Sequence, residues 1–303
     1  MSILTKVTLR SVIADAKTLV GNLWEIDDPK FMPVTNPCSI MRSQIRILRM
    51  EEYVVGVKND GVRLNLLLGC TDELYYSFFI NRKFEMFHIE MMHTPEDLYN
   101  GSLFDGELTV DDNGNSVYVI FDVIAIRGFS FTQQPHNIRM RALEENMPFL
   151  QIKRPNIHST QKQWYPLKMA RELLATQNID GLIFVPTKSP IIPGAQCDLF
   201  KWKPGNLNSI DLIFNDERLW FSRRGTNVEA IELNIYPDPG HMWSSYPSNW
   251  PVVLECSIRK ESGVWFACPI LTRDDKGTAN DQRIVELTLK NIEENVGIDE
   301  LIL

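Results

Sequence analysis

Short apolar runs separated by polar turn residues dominate this chain, and this pattern predicts a strand-rich protein. Residues 1–204 contain eight such runs, at 53–57, 64–68, 75–80, 84–89, 106–110, 116–126, 181–185 and 198–203. Two segments with helical spacing, 138–147 and 167–176, lie between them. The first part of the chain is therefore predicted to combine sheets with flanking helices.

A Pro204-Gly205-Asn206 breaker separates this part from a second group of strands. Five short strands are predicted beyond it, at 210–214, 218–221, 230–234, 252–259 and 264–270. Five strands joined by turns favour a small barrel or sandwich. Residues 284–303 predict an amphipathic helix with Ile284, Leu287 and Ile292 on one face. The predicted class is α+β, with domains at 1–204 and 205–283 and a terminal helix at 284–303.

Lys58 ends the apolar run at 53–57, and Asn59-Asp60-Gly61 follows it. Because Gly, Asn and Asp tolerate positive φ, this tripeptide between two apolar runs predicts a tight hairpin turn. The hairpin would hold Lys58 on rigid backbone close to Asp60 and Arg63. An ammonium beside other cations loses its proton more easily, and the free amine is a nucleophile. Lys58 is therefore a candidate for covalent catalysis.

The net charge of the 303 residues is −8, so the surface as a whole repels nucleic acid. A nucleic-acid substrate would need a local basic cluster, which suits one strand end better than a long duplex. The five cysteines are scattered without a Cys-x-x-Cys pair, which favours free thiols over a zinc site. No stretch reaches the ~20 apolar residues of a membrane span. A soluble, intracellular protein is expected.

Five further segments combine charged residues with strand or turn positions. At 81–83, 105–107, 180–183, 201–203 and 273–276 the chain has Asn-Arg-Lys, Asp-Gly-Glu, Asp-Gly-Leu-Ile, Lys-Trp-Lys and Arg-Asp-Asp-Lys. Alone, each is an ordinary turn or solvated face. With Lys58 they supply a nucleophile, cations for phosphate oxygens and carboxylates for a metal, which are the groups that phosphoryl or nucleotidyl transfer needs. The sequence has neither a P-loop nor a Gly-x-Gly-x-x-Gly turn.

The order of these segments resembles the six motifs of the covalent nucleotidyltransferases, the superfamily of mRNA capping enzymes and ATP-dependent ligases. The finer resemblance is to capping guanylyltransferases, particularly the compact stand-alone enzymes of large DNA viruses such as the Chlorella virus protein. It is carried by residues 104–108, 120–122, 199–205, 275–276, 279–281, 291–295 and 298–301. The resemblance runs from about Asp28 to the C-terminus.

The resemblance implies that the Lys58 amine attacks the α-phosphate of GTP and releases pyrophosphate. The lysine-linked GMP would then pass to the 5′-diphosphate end of RNA and form the cap. The implied fold is a nucleotidyltransferase domain of antiparallel sheets with flanking helices, a C-terminal OB-fold barrel and a helix that can pack back on the first domain. The implied cofactor is Mg²⁺ or Mn²⁺, near Asp180. A separate RNA triphosphatase and a cap methyltransferase would carry out the other steps.

The resemblance also implies a set of GTP-binding residues. Arg63 would contact the ribose or position Lys58. Arg82 would hold the ribose or the α-phosphate. Glu107 would contact the ribose or support metal binding. Lys201 and Lys203 would hold α-phosphate oxygens, and Arg273, Asp275 and Lys276 would contact the β- and γ-phosphates.

The base pocket implied by the resemblance bears on nucleotide choice. Phe121 and Ile183 match positions that sandwich guanine, although their spacing fits ordinary strand core equally well. Lys162 matches a lysine directed at the guanine O6. This fits the chemistry, because an ammonium can only donate, and guanine offers an acceptor where adenine offers an amine.

One position departs from the family, and two other functions stay open. Asn81 stands where the family usually has Asp, which puts a brace for Arg82 in doubt. An ATP-dependent polynucleotide ligase shares the motif order, although Lys162, the 200–205 context and the tail favour capping. An inactive relative that binds RNA ends as a scaffold is the other alternative, although every motif charge is present.

Overall fold

This computed structural model describes residues 4–71, 74–111, 113–154, 156–175, 179–237, 243, 251–273 and 276–302. The chain divides into two compact units. The first unit comprises residues 1–38, 47–201 and 302, and the second comprises residues 39–46, 202–301 and 303. The chain combines helices with several sheets, so the prediction of a mixed helix and strand protein is confirmed.

Strands and short helices alternate from the N-terminus to Trp202. The strands are β1 (Thr5–Lys6), β2 (Thr35–Ser39), β3 (Tyr53–Val57), β4 (Val62–Thr71), β5 (Leu74–Ile80), β6 (Met86–His88), β7 (Met91–Met92), β8 (Ser102–Val110), β9 (Ser116–Ile126), β10 (Phe129–Ser130), β11 (Gln151–Ile152), β12 (Ile157–Gln161), β13 (Tyr165–Pro166), β14 (Leu182–Pro186) and β15 (Gly194–Trp202). The α-helices are α1 (Arg10–Trp24), α2 (Ile45–Met50), α3 (His136–Asn146) and α4 (Ala170–Leu174). Short 3-10 helices span Arg42–Gln44, Glu96–Tyr99, Met147–Phe149 and Leu167–Met169.

An eight-stranded sheet forms the centre of the first unit. Its order is β1-β6-β5-β4-β8-β9-β10, and β12 pairs in parallel with β9. Because successive side chains of a strand point to opposite faces, Leu64, Leu66 and Leu68 of β4 enter one apolar core and Leu67 enters the other. Helix α1 covers the Leu67 face, and α3 covers the opposite face through Leu143.

A five-stranded sheet, ordered β13-β3-β14-β15-β2, lies in the same part of the chain, and β7 and β11 form a separate pair. Strand β3 is antiparallel to both β13 and β14, with Val57 opposite Leu182. Gly56 in β3 packs against Trp164, because a Cβ at this position would lie 2.9 Å from the indole ring. Strand β3, which leads to Lys58, is thus held on both edges and on one face.

The predicted hairpin between 53–57 and 64–68 is wrong. Strands β3 and β4 belong to different sheets, and Asn59-Asp60-Gly61 carries the chain from the five-stranded sheet to the eight-stranded one. Gly61 does not use positive φ. Glycine is required there because a Cβ would collide with the carbonyl oxygen of Leu108 in β8. Close approach of backbone, and not turn geometry, accounts for this glycine.

The second predicted hairpin, at 111–115, is confirmed. Strands β8 and β9 pair antiparallel on either side of it. The Asp111 carboxylate accepts hydrogen bonds from the backbone N–H groups of Asn113 and Asn115, at 3.0 and 2.8 Å. Gly114 has a φ of 81°, which a residue with a side chain rarely adopts.

A six-stranded sheet forms the second unit, where the sequence predicted about five strands. The strands are β16 (Ser209–Asn215), β17 (Arg218–Arg223), β18 (Thr226–Glu229), β19 (Leu233–Ile235), β20 (Val252–Glu261) and β21 (Val264–Thr272). Their order is β18-β17-β16-β20-β21-β19, with β19 parallel to β21. A 3-10 helix at Gly205–Leu207 precedes the sheet, and α5 (Gln282–Glu294) and α6 (Ile298–Ile302) follow it.

Helix α5 packs on β16 and β17 through a face that differs from the predicted one. Val285 is fully buried, and Leu289 and Ile292 pack against the same core. Ile284 and Leu287 are exposed by 48% and 41%. The contact stripe therefore follows positions i, i+4 and i+7 from Val285. Of the three predicted positions, only Ile292 lies on the face packed against this core.

Candidate active site

Lys58 lies immediately after β3, at the end of the five-stranded sheet. Its backbone N–H donates to the Gly181 carbonyl at 2.8 Å, which continues the pairing of β3 with β14. Its Nζ forms an ion pair with the Asp180 carboxylate, and the two side chains are 25% and 19% exposed. The nearest charged group is therefore a carboxylate from a distant part of the sequence, and not the expected Asp60 or Arg63. Lys58 remains reachable from solvent.

Lys162 and Glu107 complete a charged cluster around Lys58. Lys162 follows β12, and its side chain is buried, with Nζ donating to the Val57 carbonyl and, at 2.6 Å, to Asn59 Oδ1. Burial lowers the pKa of Lys162 to about 8, with Glu107 opposing the shift and Lys58 adding to it. Burial likewise raises the pKa of Glu107, against the opposing charges of Lys58, Lys162 and Arg63. These side chains interact electrostatically as one group.

Arg63 of β4 is held by the buried carboxylate of Asp105. Its Nε donates to Asp105 Oδ1 at 2.9 Å, a second nitrogen pairs with Asp105 Oδ2, and the same nitrogen donates to the Thr35 carbonyl at 2.8 Å. Burial alone would lower the pKa of Arg63, but the Asp105 charge and hydrogen bonds raise it. The guanidinium also lies over the Phe121 ring, 5.4 Å from its centroid. Arg63 thus connects β4, β8 and the ring of Phe121.

Arg82 occupies the exposed turn between β5 and β6. Asn81 organises this turn, because its Oδ1 accepts the backbone N–H groups of Lys83 and Glu85 at 3.0 and 2.9 Å. Its Nδ2 donates to the Glu85 carboxylate at 2.7 Å. An asparagine at this position therefore fixes the turn from both ends of its amide. The charge of Arg82 lowers the pKa of Asp105, against the larger effect of burial, which raises it.

Ile183 and Lys201 belong to the five-stranded sheet. Ile183 of β14 lies opposite Gly56 of β3 and is partly buried. Lys201 lies in β15, the neighbour of β14, and is also partly buried. The first unit thus contains nine of the predicted residues: Lys58, Arg63, Arg82, Glu107, Phe121, Lys162, Asp180, Ile183 and Lys201.

The second unit holds the remaining predicted cations. Arg273 donates to Asp211 Oδ1 and to Glu255 Oε2, both at 3.1 Å, and Lys276 forms an ion pair with Asp211 Oδ2. Asp211 is buried in β16, so one carboxylate fixes both cations. Lys203 follows β15 and is partly buried. Asp275 lies outside the described residues.

The sequence did not identify the buried Asp122–Arg139 ion pair. Arg139 of α3 is fully buried, and its Nε and a second nitrogen donate to the two Asp122 oxygens at 2.6 and 3.0 Å. Asp122 directly follows Phe121, so the pair anchors the strand beside that ring to α3. An Asp after an apolar run was visible in the sequence, but nothing pointed to Arg139 as its partner. The contact between Asn59 and Lys162 was also not predicted.

The described residues offer few protein ligands for the predicted Mg²⁺ or Mn²⁺ ion. Within the described residues, no three His, Cys, Asp or Glu side chains are grouped closely enough to form a protein-only metal site. Mg²⁺ commonly uses one or two carboxylates together with substrate phosphates. The partly exposed Asp180 carboxylate fits that mode, provided that its ion pair with Lys58 opens.

Residues 2–205 match the protein family described as "mRNA capping enzyme, catalytic domain". The mRNA-capping enzyme subunit alpha of Candida glabrata is 26% identical over 389 aligned residues, covering 96% of this chain and 84% of the fungal protein. The subunit alpha of Schizosaccharomyces pombe is 24% identical, covering 90% and 80%. The mRNA-capping enzyme of Mus musculus is 32% identical over 236 residues, covering 68% of this chain and 38% of the mouse protein.

Two solved structures match this chain at low scores. A mycobacterial DNA ligase D complexed with ATP and MES gives a TM-score of 0.46 at 13% identity, covering 80% of this chain and 95% of the ligase chain. The ATP-dependent DNA ligase from bacteriophage T7 in complex with ATP gives 0.44 at 14% identity, covering 80% and 98%. No helix among the residues described here has the length and apolar character needed to span a membrane.

Proposed function

The chain belongs to the family of mRNA capping enzyme catalytic domains, and we propose that it is an mRNA guanylyltransferase that works through a Lys58-linked GMP. The observation that carries this proposal is the cluster of Lys58, Asp180, Glu107 and Lys162 inside the matched region. It provides an accessible amine with carboxylates and a second cation beside it. These groups suit attack on a phosphate ester.

The reaction takes two steps that balance. The Lys58 ammonium first releases a proton to solvent and leaves its ion pair with Asp180, so that its nitrogen can attack the α-phosphorus of GTP. A phosphorus–nitrogen bond forms, the bond to the bridging oxygen breaks, and pyrophosphate leaves. In the second step an oxygen of the RNA 5′-diphosphate attacks the same phosphorus, the phosphorus–nitrogen bond breaks, and the lysine amine is restored.

The binding roles follow from the family resemblance, and the clustering of Lys58, Glu107 and Lys162 supports those of the first unit. Lys162 donates to the guanine O6, and Phe121 and Ile183 flank the base. Arg63 contacts the ribose or positions Lys58, and Arg82 holds the ribose or the α-phosphate. Glu107 contacts the ribose or supports the metal. Lys201 and Lys203 bind α-phosphate oxygens, and Arg273, Asp275 and Lys276 bind the β- and γ-phosphates.

The proposal includes a divalent cation and two other activities. Asp180, with nucleotide phosphates, would hold Mg²⁺ or Mn²⁺, and the ion would neutralise charge on the transferred phosphate. A separate RNA triphosphatase would supply the diphosphate end, and a methyltransferase would complete the cap. We also propose an OB-fold for the strands of the second unit and a finer relationship to the stand-alone viral enzymes.

A labelling experiment tests the first step. Purified protein is incubated with GTP or ATP carrying a labelled α-phosphate, in the presence of Mg²⁺ or Mn²⁺, and is then denatured. We expect covalent label from GTP in the parent protein and none in Lys58→Ala. Lys153→Ala is the matched control, because Lys153 is an exposed lysine paired only loosely with Glu90 at 3.2 Å. Label from ATP alone would indicate a ligase, and label retained by Lys58→Ala would identify a different nucleophile.

A chase experiment tests the second step. Isolated protein–GMP is mixed with RNA that ends in a 5′-diphosphate, a 5′-triphosphate or a 5′-monophosphate. Transfer of the label to the diphosphate end is expected. Protein that accepts label but passes it to none of these ends would not be a guanylyltransferase of this type.

A further inference from the structure

Asn59 tethers the one buried lysine of the candidate site. Lys162 Nζ donates to Asn59 Oδ1 at 2.6 Å and to the carbonyl oxygen of Val57. Lys162 is only 8% exposed. Both acceptors lie on the segment that carries Lys58, so the position of the ammonium is tied to that of the nucleophile.

The tether limits how the N–H groups of the Lys162 ammonium can be oriented. An ammonium has three N–H groups and no acceptor. Two of them are taken by Val57 and Asn59, so the direction of the third is fixed. A carbonyl oxygen on a ligand complements that N–H, whereas an amino group would oppose donor to donor.

We propose that Asn59 is a specificity-determining residue, whose amide oxygen orients Lys162 so that the site accepts a purine with a carbonyl at C6 and rejects one with an amine. This inference rests on the proposed function, since it assigns the tether to the same GTP site. Asn59 acts through Lys162 and is a positioning residue. Val57 cannot fill this role alone, because a single acceptor holds the ammonium at one point and leaves the Lys162 side chain free to pivot about it.

The environment of Lys162 adds a second reason for the tether. Burial lowers the pKa of this ammonium to about 8, with Glu107 opposing and Lys58 adding to the shift. An acceptor at 2.6 Å stabilises the protonated form. Without it, a larger share of the lysine would be a neutral amine, whose lone pair can accept a hydrogen bond from an amino group. Loss of Asn59 therefore weakens discrimination in two ways.

Asn59→Ala is the direct test. The contact from Lys58 Nζ is to the main-chain oxygen of Asn59, at 3.4 Å, and alanine keeps that oxygen. Equilibrium dissociation constants for GTP and ATP are measured separately from the rates of covalent labelling. We expect the preference for GTP over ATP to fall at least about tenfold, which corresponds to about 1.4 kcal/mol, chiefly through weaker GTP binding. Asn113→Ala, in the exposed β8–β9 turn, is the matched control and should keep the parental preference.

A second variant keeps the test valid if Asn59→Ala folds poorly. Asn59→Asp keeps the shape and the acceptor and adds a charge that favours the protonated lysine, so the GTP preference should survive. An unchanged GTP to ATP ratio in Asn59→Ala, or an equal loss in Asn59→Asp, overturns the inference. A parent that prefers GTP in binding but takes no covalent label refutes the proposed function while the Asn59 comparison still stands.

Discussion

Asp105→Asn should destabilise the first unit far more than the loss of any exposed ion pair. Asp105 is 4% exposed and its partner Arg63 is 14% exposed, measured on the side chains. Asparagine has nearly the same shape but only one acceptor oxygen, and its NH₂ group would face a guanidinium donor. Arg63 would then remain buried, and the Thr35 carbonyl, 2.8 Å away, would be the acceptor that keeps its full strength.

The size of the effect follows from what is left behind. Removing one partner of a buried ion pair typically costs about 3–5 kcal/mol, because the other charge stays buried without compensation. An exposed pair on a helix contributes only about 0.3–0.5 kcal/mol. Arg141 and Glu145 of α3 form such a pair at 3.1 Å, with side chains 78% and 63% exposed. Glu145→Gln is therefore the matched control, and the two variants should differ by severalfold.

Native-state hydrogen exchange is the suitable assay. A chain with two compact units need not unfold in one step, whereas exchange reports local stability for the amides of β4 and β8. Adding Arg63→Met to Asp105→Asn removes the stranded charge, so the double variant should lose less than the sum of the two single losses. A loss below about 1 kcal/mol in Asp105→Asn, or additive losses in the double variant, would refute the reasoning.

Two further substitutions test the surroundings of Lys58. Gly61→Ala should lower the free energy of unfolding by about 1–3 kcal/mol, measured by hydrogen exchange, because the new Cβ pushes on the Leu108 carbonyl. This loss outweighs the ~0.4–1 kcal/mol of stabilisation expected from a stiffer unfolded chain. A stabilised variant would contradict the steric argument. Glu107→Gln should unfold less readily than the parent at pH 7 and equally at pH 4, as followed by denaturant titration. Burial raises the pKa of Glu107 in the folded protein. The contribution of this carboxyl group to the free energy of unfolding is therefore complete below its ordinary pKa and is lost as the pH rises through the folded value. Glutamine stays neutral and avoids that loss.

Local sequence signals predicted most of the strands because the responsible forces are local. The run at 116–126 became β9 with the same bounds, and the Asp111 to Asn115 turn formed as expected. Helix α1 was not predicted. Its amphipathic face packs on one core, but none of its ends carries a side-chain cap that the sequence would show. The run at 84–89 shortened to Met86–His88 because Phe84 adopts a φ of 62° in the turn.

Pairing between strands was harder to predict than the strands themselves. The Asn59-Asp60-Gly61 segment does require glycine, because the backbone of Gly61 lies close to that of Leu108. In a sequence, a glycine needed for such close backbone approach cannot be told from one needed for a hairpin turn. The error matters for function. A hairpin would have placed Lys58 beside Arg63, whereas the sheet crossover places it beside Asp180, which is 122 positions away.

The motif residues themselves could be found from the sequence, but their partners could not. Arg63 and Asp105 are 42 positions apart, and Lys162 and Asn59 are 103 positions apart. Such contacts depend on which strands become neighbours, and periodicity does not specify that. The sequence therefore identified the charged residues of the candidate site, and the structure was needed to identify the interaction partner of each.

The crossover explains why Lys58 can be surrounded by groups of both signs. Its backbone completes the five-stranded sheet through Gly181, while Glu107 comes from β8 of the eight-stranded sheet. Lys162 joins the two, because its backbone N–H donates to Ile120 of β9 at 2.8 Å and its ammonium reaches Val57 and Asn59 at the end of β3. A lysine within a hairpin would have neighbours from one sheet only. Placing Lys58 between two sheets allows one sheet to fix its backbone and the other to supply Glu107 to the same charged cluster.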